Sequence, residues 1–309
     1  MPLQLSNLVD RFVTARSADG RAARTLLDYA RVLRPFAEGY PSPVELDREA
    51  IRAYVAGLQA RPWAPATIAI HVRNLRAFLR WLHAEGHTSD NLALAIKAPR
   101  QTTRLEIPIT PDEIQALLNT CDTINFHDRR DRALILTLCD TGLRTGELVG
   151  LRLSHWKSND DSDGSYLLVY APKTYAYRYA ILGRAATSAL SSYLALRGTF
   201  TPGNFQGLPD DAPLFSIENG QPMKPRAVGS LLVRRSRQAG LARGRTHPHI
   251  FRKAFATIFL DNGGDTERLR VLAGWSSMEM VKIYADSSLR RLRDAHRRAG
   301  PVDKMDLDL

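Results

Sequence analysis

TGLRTGEL, residues 141–148, follows an apolar stretch at residues 132–140 that is typical of a buried helix. The Thr-Gly pair interrupts that helix and places Arg144 at the start of the next one. Backbone N–H groups at a helix N-terminus favour anions, and Glu147 is close enough to hold the arginine by a hydrogen bond or an ion pair. The segment therefore predicts an anion site, and a surface arginine at a helix start is the competing interpretation.

Two later segments add candidate phosphate-binding residues. Residues 165–171 and 176–182 are rich in Tyr, Val and Ile, which predicts a β-hairpin with Lys173 in its turn. That lysine either swings onto a ligand or is a solvated turn residue. HPHIFRKAFAT then places His249 and Arg252 on one face at a helix N-terminus, where both can address one phosphate. A capping histidine beside a surface arginine is the alternative.

The segment AGWSSMEMVKIYA joins two further predicted helices. Gly274 ends the first and Ser277 caps the second, so Tyr284 lies about two turns beyond the cap. Trp275 and Tyr284 are either packing aromatics or a functional pair.

The first hundred residues predict helices and no strand. Apolar residues at three- and four-residue spacing indicate helices over 5–15 and 22–38, and Asp47 caps a third that runs to residue 60. A bundle of short helices follows from this pattern.

A fourth helix of that bundle is predicted from Thr67 to Gly86. Its apolar face consists of Ile70, Val72, Leu75, Phe78, Leu79 and Leu82. Its polar side is either a set of DNA contacts or a solvated surface, and the candidates are His71, Arg73, Arg76 and Arg80.

A polar, proline-interrupted stretch at residues 97–108 is typical of a linker. Beyond it, a Thr cap at Thr110, a proline at the first helical position and Glu113 at the third predict a new helix. Helices are predicted to about residue 153, and again at 185–197, 225–240, 249–262, 265–273 and 277–285.

Charge and composition narrow the class of protein. The 309 residues carry a net charge of +11 at pH 7, which indicates a polyanionic partner, most often nucleic acid, and leaves a basic housekeeping enzyme as an equally open alternative. No apolar run approaches the roughly 18 residues of a membrane span, and the first residues show no signal-peptide pattern. Two cysteines exclude a disulfide framework and a four-cysteine zinc site. We therefore expect a cytoplasmic protein that does not contact a membrane.

Taken together, the four segments resemble the tyrosine site-specific recombinases of the phage-integrase and Xer type. The order and spacing match over roughly residues 106–290. Trp275 stands where histidine is commoner, and Lys253 follows Arg252 where many members have histidine. The resemblance implies a catalytic set of Arg144, Lys173, His249, Arg252, Trp275 and Tyr284, supported by Glu147.

The resemblance also implies the architecture. We expect a mainly α protein with a small β-hairpin or sheet. A SAM-like helical core-binding domain at 1–98 and a linker at 99–107 would precede an α+β catalytic domain at 108–300. Residues 301–309 would form a C-terminal tail, which either docks on a neighbouring protomer or is a frayed terminus.

The implied activity is cutting and rejoining of DNA through a 3′-phosphotyrosine, without metal, ATP or other cofactor. The expected partner is double-stranded DNA with an inverted-repeat core site, bound by a homo-tetramer or by a hetero-tetramer with a sister recombinase, at the nucleoid. Integration, excision, transposition and dimer resolution all use this reaction. A catalytically silent DNA-binding accessory factor and a type IB topoisomerase are the alternatives.

Overall fold

The computed structural model describes residues 4–97, 107–122, 124–158, 165–171, 176–199, 208–285 and 289–300. The chain divides into two units, residues 1–105 and 106–309. Most of the predicted linker, the hairpin turn with Lys173 and the tail at 301–309 lie outside the described residues.

The first unit is helical, as predicted, and no strand occurs in its described part, residues 4–97. Its core is a cluster of aliphatic side chains around Phe12, Phe36 and Phe78, which are fully buried. Asp47 caps the third helix by accepting a hydrogen bond from the backbone N–H of Ala50 at 2.7 Å. The helices are α1 (Leu5–Ala18), α2 (Ala23–Gly39), α3 (Arg48–Gln59) and α4 (Pro65–Ala84).

Helix α4 differs from the prediction in its start and in its buried face. It begins at Pro65, because proline suits the first helical turn, rather than at Thr67. Ile68 and Val72 face the core one turn apart, and Ile70 between them points away and is 39% exposed. Two residues rotate an α-helix by about 200°, so Ile70 cannot share their face.

The second unit contains a small antiparallel sheet, with strand order β1-β2-β3 in the described residues. The predicted hairpin strands are confirmed, but the three-residue β1 was not predicted, since it is too short to show an alternating pattern. Thr110 and Glu113 form the predicted capping box at the start of α5. The strands are β1 (Trp156–Ser158), β2 (Ser165–Ala171) and β3 (Ala176–Leu182).

The helices of this unit surround the sheet and carry most of the predicted functional segments. They are α5 (Pro111–Asn119), α6 (Phe126–Thr141), α7 (Thr145–Val149), α8 (Arg184–Thr199), α9 (Pro225–Gln238), α10 (Pro248–Asp261), α11 (Thr266–Ala273), α12 (Met278–Ala285) and α13 (Leu289–Ala299). No helix in the described ranges is both long and apolar enough to cross a membrane.

Two hydrophobic clusters stabilise this unit. The larger one packs α6, α8, α9 and the first half of α10 against the sheet. The smaller one joins α10, α11 and α12, and its members include Trp275 and Tyr284. The two aromatic residues singled out in the sequence are therefore part of a packed core, which fixes their positions.

Candidate active site

Arg144 lies at the N-cap of α7 and is held by Glu147. Its backbone N–H and its Nη1 each donate a hydrogen bond to the Glu147 carboxylate, both at 2.9 Å. The Glu147 side chain is only 5% exposed, whereas the Arg144 side chain is 50% exposed. A buried anion thus orients a guanidinium that still faces solvent.

The residue that ends α6 brings the arginine segment close to α10. Gly142 adopts a left-handed conformation with φ +58° and ends the helix. A Cβ built on it would lie 2.6 Å from Cδ1 of Phe255, so only glycine fits without movement. The close approach leaves the Gly142 carbonyl facing α10.

Arg252 is a buried side chain of α10, 3% exposed. Its Nη1 donates to the carbonyl oxygen of Gly142 at 2.7 Å and its Nη2 to that of Ala273 at 2.6 Å. Burial, with the neighbouring positive charge of Arg144, lowers the pKa of the guanidinium to about 10, so it stays charged at neutral pH. The side chain therefore fixes a permanent cation between the α6–α7 and α11–α12 connections.

His249 lies in the first turn of α10 and is exposed, unlike Arg252. The sequence predicts one helix face for both residues. The structure places the arginine inside and the histidine at the surface, so the interpretation of Arg252 as a surface arginine is wrong.

Trp275 and Tyr284 form a parallel stack. Their ring centroids are 5.0 Å apart and the planes differ by 2°. Both are nearly buried, at 4% and 5% exposure. The Arg252 guanidinium lies 5.1 Å from the centre of the Trp275 ring, and the Trp275 indole N–H has no hydrogen-bond partner among the described residues. An unpaired buried donor on a ring that also contacts an arginine suits an anionic ligand.

Arg178 of β3 is a site residue that the sequence reasoning missed. Its Nη2 donates to Glu147 at 2.9 Å and its Nη1 to the carbonyl oxygen of Leu272 at 3.2 Å. Tyr177 and Tyr179 on either side are exposed, which puts Arg178 on the inward face of the strand. A basic residue at an inward strand position is the signal that would have found it.

The structure brings five of the predicted residues into one connected cluster. Hydrogen bonds, ring stacking and electrostatic contacts link them. Lys173 falls outside the described residues, and His249 lies on the same helix as Arg252 but at the surface. The cluster consists of Arg144, Glu147, Arg252, Trp275 and Tyr284.

The four candidate DNA contacts of the first unit separate into two places. Arg73 and Arg80 line an open groove of about 480 Å³ together with Arg16 and Arg21. His71 instead packs on the ring of Trp63, with centroids 4.8 Å apart.

Arg76 is half-buried and does not line that groove. Burial and the charges of Arg31 and Arg61 lower the pKa of His71, so it carries little positive charge at pH 7. Two of the four candidates, Arg73 and Arg80, therefore share one groove with two further arginines.

In the second unit, the Arg252 guanidinium interacts electrostatically both with the phenol of Tyr284 and with the guanidinium of Arg144. Cations that bind non-bridging oxygens and a nucleophilic hydroxyl are what transfer of a phosphodiester to an enzyme requires. The composition of the site is thus that of an enzyme for phosphodiester transfer.

Residues 108–291 match the phage integrase family, so the chain belongs to that family. It is a tyrosine recombinase, an enzyme that cuts and rejoins DNA, as the sequence predicted. The chain is 32% identical over 283 residues to tyrosine recombinase XerD of Caulobacter vibrioides, covering 89% of this chain and 90% of that protein. It is 28% identical over 269 residues to XerC of Salmonella typhi, covering 86% and 84%.

A solved structure supports the same fold. A lambda integrase tetramer bound to a Holliday junction matches with a TM-score of 0.71 at 20% identity, covering 92% of this chain and 77% of that chain. The mainly helical architecture with a small sheet is therefore confirmed.

Proposed function

We propose that this protein is a site-specific recombinase that works through a 3′-phosphotyrosine intermediate. The Tyr284 oxygen attacks the scissile phosphorus, the Tyr–O–P bond forms, and the bond from phosphorus to the 5′ oxygen breaks. The observation that carries this proposal is the packing of Tyr284 against Trp275 beside Arg252, which is itself anchored to the Arg144 segment.

The arginines have the role of a charge clamp. Arg144 and Arg252 bind the two non-bridging oxygens and offset the negative charge that builds up in the transition state. Arg252 is already held by two carbonyl oxygens, so little reorganisation accompanies substrate binding. Since arginines supply this charge, the proposed step needs no metal or other cofactor.

Proton transfer is assigned to the remaining residues. His249 accepts the phenol proton of Tyr284, and Lys173 donates a proton to the departing 5′ oxygen. Trp275 donates its otherwise unpaired indole N–H to the phosphate. The covalent intermediate conserves the energy of the broken bond, so religation needs no ATP.

DNA binding involves both units in this proposal. The groove of Arg16, Arg21, Arg73 and Arg80 would hold backbone phosphates of an inverted-repeat core site. His71 and Arg76 are secondary candidates because both are half-buried.

Strand exchange between two duplexes needs four protomers, either identical or shared with a sister recombinase. The tail at 301–309 is proposed to dock on a neighbour, where its acidic and apolar residues would meet a basic surface. Truncation after residue 300 should leave cleavage by single protomers intact and abolish synapsis. Unchanged synapsis and recombination in the truncated protein would remove this part of the proposal.

The direct test is a nicked suicide substrate that traps the covalent adduct. Tyr284→Phe should form no adduct and should bind DNA with nearly unchanged affinity, because only the attacking hydroxyl is lost. Tyr177→Phe, at an exposed tyrosine of β3, is the matched control and should form adduct normally. An adduct formed by Tyr284→Phe would show that another residue is the nucleophile.

Two alternative functions give other outcomes. A silent accessory factor would bind DNA and form no adduct even as the wild-type protein. A type IB topoisomerase would relax supercoils as a monomer without site preference.

We propose that the recombinase acts at the nucleoid, in the cytoplasm. Its role there is integration, excision, transposition or dimer resolution.

A further inference from the structure

Arg178 contacts two of the segments that build the site, the one with Glu147 and the end of α11. It lies on β3, which follows Lys173 in the sequence. Its Nη2 donates to the Glu147 carboxylate, the same group that holds Arg144. Its Nη1 donates to the carbonyl oxygen of Leu272, three residues before Trp275. Residue 178 is five positions beyond Lys173 on the same hairpin.

The contact with Glu147 is a buried ion pair. The Arg178 side chain is 10% exposed and that of Glu147 is 5% exposed. Burial lowers the pKa of Arg178, and the charge of Glu147 opposes that effect. Removing one partner of such a pair leaves the other charge without compensation, which is strongly unfavourable. Glu147 therefore depends on Arg178 for one of the two cations that compensate its buried charge in the position where it holds Arg144.

Arg178 also lies in close contact with the α11–α12 connection. Gly274 has φ +64°, and a Cβ built on it would lie 2.3 Å from Nε of Arg178. The guanidinium thus lies directly against the backbone that precedes Trp275. A larger residue at this position would displace either the arginine or the connection that carries the tryptophan.

We propose that Arg178 is a positioning residue for the cleavage reaction. It fixes Glu147, and through it Arg144, relative to the connection that carries Trp275, and it does not itself touch the phosphate. This inference rests on the proposed function, since it concerns the same site.

The first experiment compares Arg178→Met with Arg197→Met. Arg197 is a buried arginine that donates to the carbonyl oxygens of Pro213 and Leu214, so its loss reports a purely structural effect. Per folded molecule, Arg178→Met should cleave a suicide substrate about 10–100-fold more slowly, the usual effect of losing a residue that orients a ligand-binding group. Its DNA dissociation constant should change less than about twofold, because the arginine does not face the phosphate.

Arg178→Lys should restore only part of the rate, since the compact ammonium of a lysine lacks the planar fork that reaches Glu147 and the Leu272 carbonyl oxygen together. Arg197→Met should cleave at the wild-type rate per folded molecule. Equal rates for the Arg178 and Arg197 variants would overturn the proposal.

A double-mutant cycle tests the route through Arg144. Arg144→Ala should slow cleavage by about 10²–10³-fold, as expected for a lost transition-state donor. In the Arg144→Ala background, Arg178→Met should slow cleavage much less than it does in the wild-type protein. The guanidinium that Arg178 positions is already absent there. Full additivity would contradict positioning through Arg144.

Hydrogen exchange gives a readout that does not depend on activity. Arg178→Met should speed amide exchange in segments 142–147 and 272–275 together, and Arg197→Met should leave both unchanged. If the wild-type protein formed no adduct, the proposed function would fail, while the exchange result would still decide whether Arg178 joins the two segments. If amide exchange in the two segments were unchanged in Arg178→Met, the inference would be wrong even if the enzyme is active.

Discussion

At the scale of single residues, the site keeps one polar group unpaired inside a packed cluster. The Trp275 ring is stacked on Tyr284 and lies below Arg252, yet its indole N–H has no partner among the described residues. A buried donor left without an acceptor costs about 1–3 kcal/mol. This donor lowers the folding stability and, in the proposed reaction, binds the phosphate.

Trp275→Phe should separate stability from activity. Phenylalanine retains the stacking but is smaller than tryptophan, which loses some packing. It also removes the unpaired donor, and because this gain partly offsets the lost packing, the melting temperature should change little. The rate of adduct formation should fall about tenfold, the effect of losing a hydrogen bond of about 1.4 kcal/mol made only in the transition state. Thermal unfolding and single-turnover cleavage together measure both effects.

Trp156→Phe is the matched control, because the Trp156 indole N–H donates to Ser165 Oγ at 3.0 Å, within the sheet. It should destabilise the protein and leave cleavage per folded molecule unchanged. A full-rate Trp275→Phe enzyme would show that the indole N–H has no part in the reaction.

At the scale of secondary structure, one arginine ties the start of the second unit to the segment before α10. Arg245 donates to both carboxylate oxygens of Glu113 at 2.5 and 2.6 Å. It also donates to the carbonyl oxygens of Ile107 and Pro108. Because α10 begins three residues later and carries Arg252, this anchor helps to set the position of the catalytic arginine.

The Glu113–Arg245 pair should make stability depend on pH. The hydrogen bond to Arg245 lowers the pKa of Glu113 below its ordinary value of 4.5. The stabilisation is therefore complete above pH 4.5 and is lost as the pH falls through the lower, folded-state pKa. Glu113→Gln should reduce the free energy of unfolding by about 1–3 kcal/mol at pH 7. Denaturant unfolding of the second unit at several pH values measures the difference.

That difference between wild type and Glu113→Gln should shrink as the pH falls from 4.5 through the lower folded-state pKa of Glu113, since both side chains are uncharged once that carboxylate is protonated. Glu279→Gln, at an exposed glutamate of the same unit, should show little difference at any pH. A Glu113→Gln effect that stays constant into acid would mean that the charge of the pair contributes nothing.

At the scale of the whole molecule, charge is distributed over two units that each have their own core. The net charge of +11 is consistent with DNA as the partner, and the first unit concentrates part of it in one groove. Arg73 in that groove has no ion-pair partner in the described part of the chain. Phosphate contacts of this kind release counterions and make affinity fall with salt.

Arg73→Ala should weaken DNA binding and reduce the slope of log affinity against log salt by about 1, the value for one lost phosphate contact. Arg48→Ala removes the same charge from the same unit but at an arginine close to Asp90, outside the groove. Its slope should match the wild type. Identical slopes for the wild type and Arg73→Ala would exclude the groove as a phosphate site.

Some features of the fold and the site follow from local sequence. Helix periodicity, the capping box at Thr110 and the alternating strands depend on neighbours within a few residues, so these predictions are confirmed. The start of α4 and the three-residue β1 were missed because their local signals are weak. Ile70 shows that an apolar residue inside an amphipathic helix does not have to face the core.

The sequence by itself determined the family and the order of the proposed catalytic residues, because these are carried by short motifs at characteristic spacings. The tertiary structure alone decided that Arg252 is buried on the Gly142 carbonyl, 110 positions away, and that Arg178 shares Glu147 with Arg144. Such contacts depend on how distant elements pack, and the periodicity of a single element contains no information about that packing.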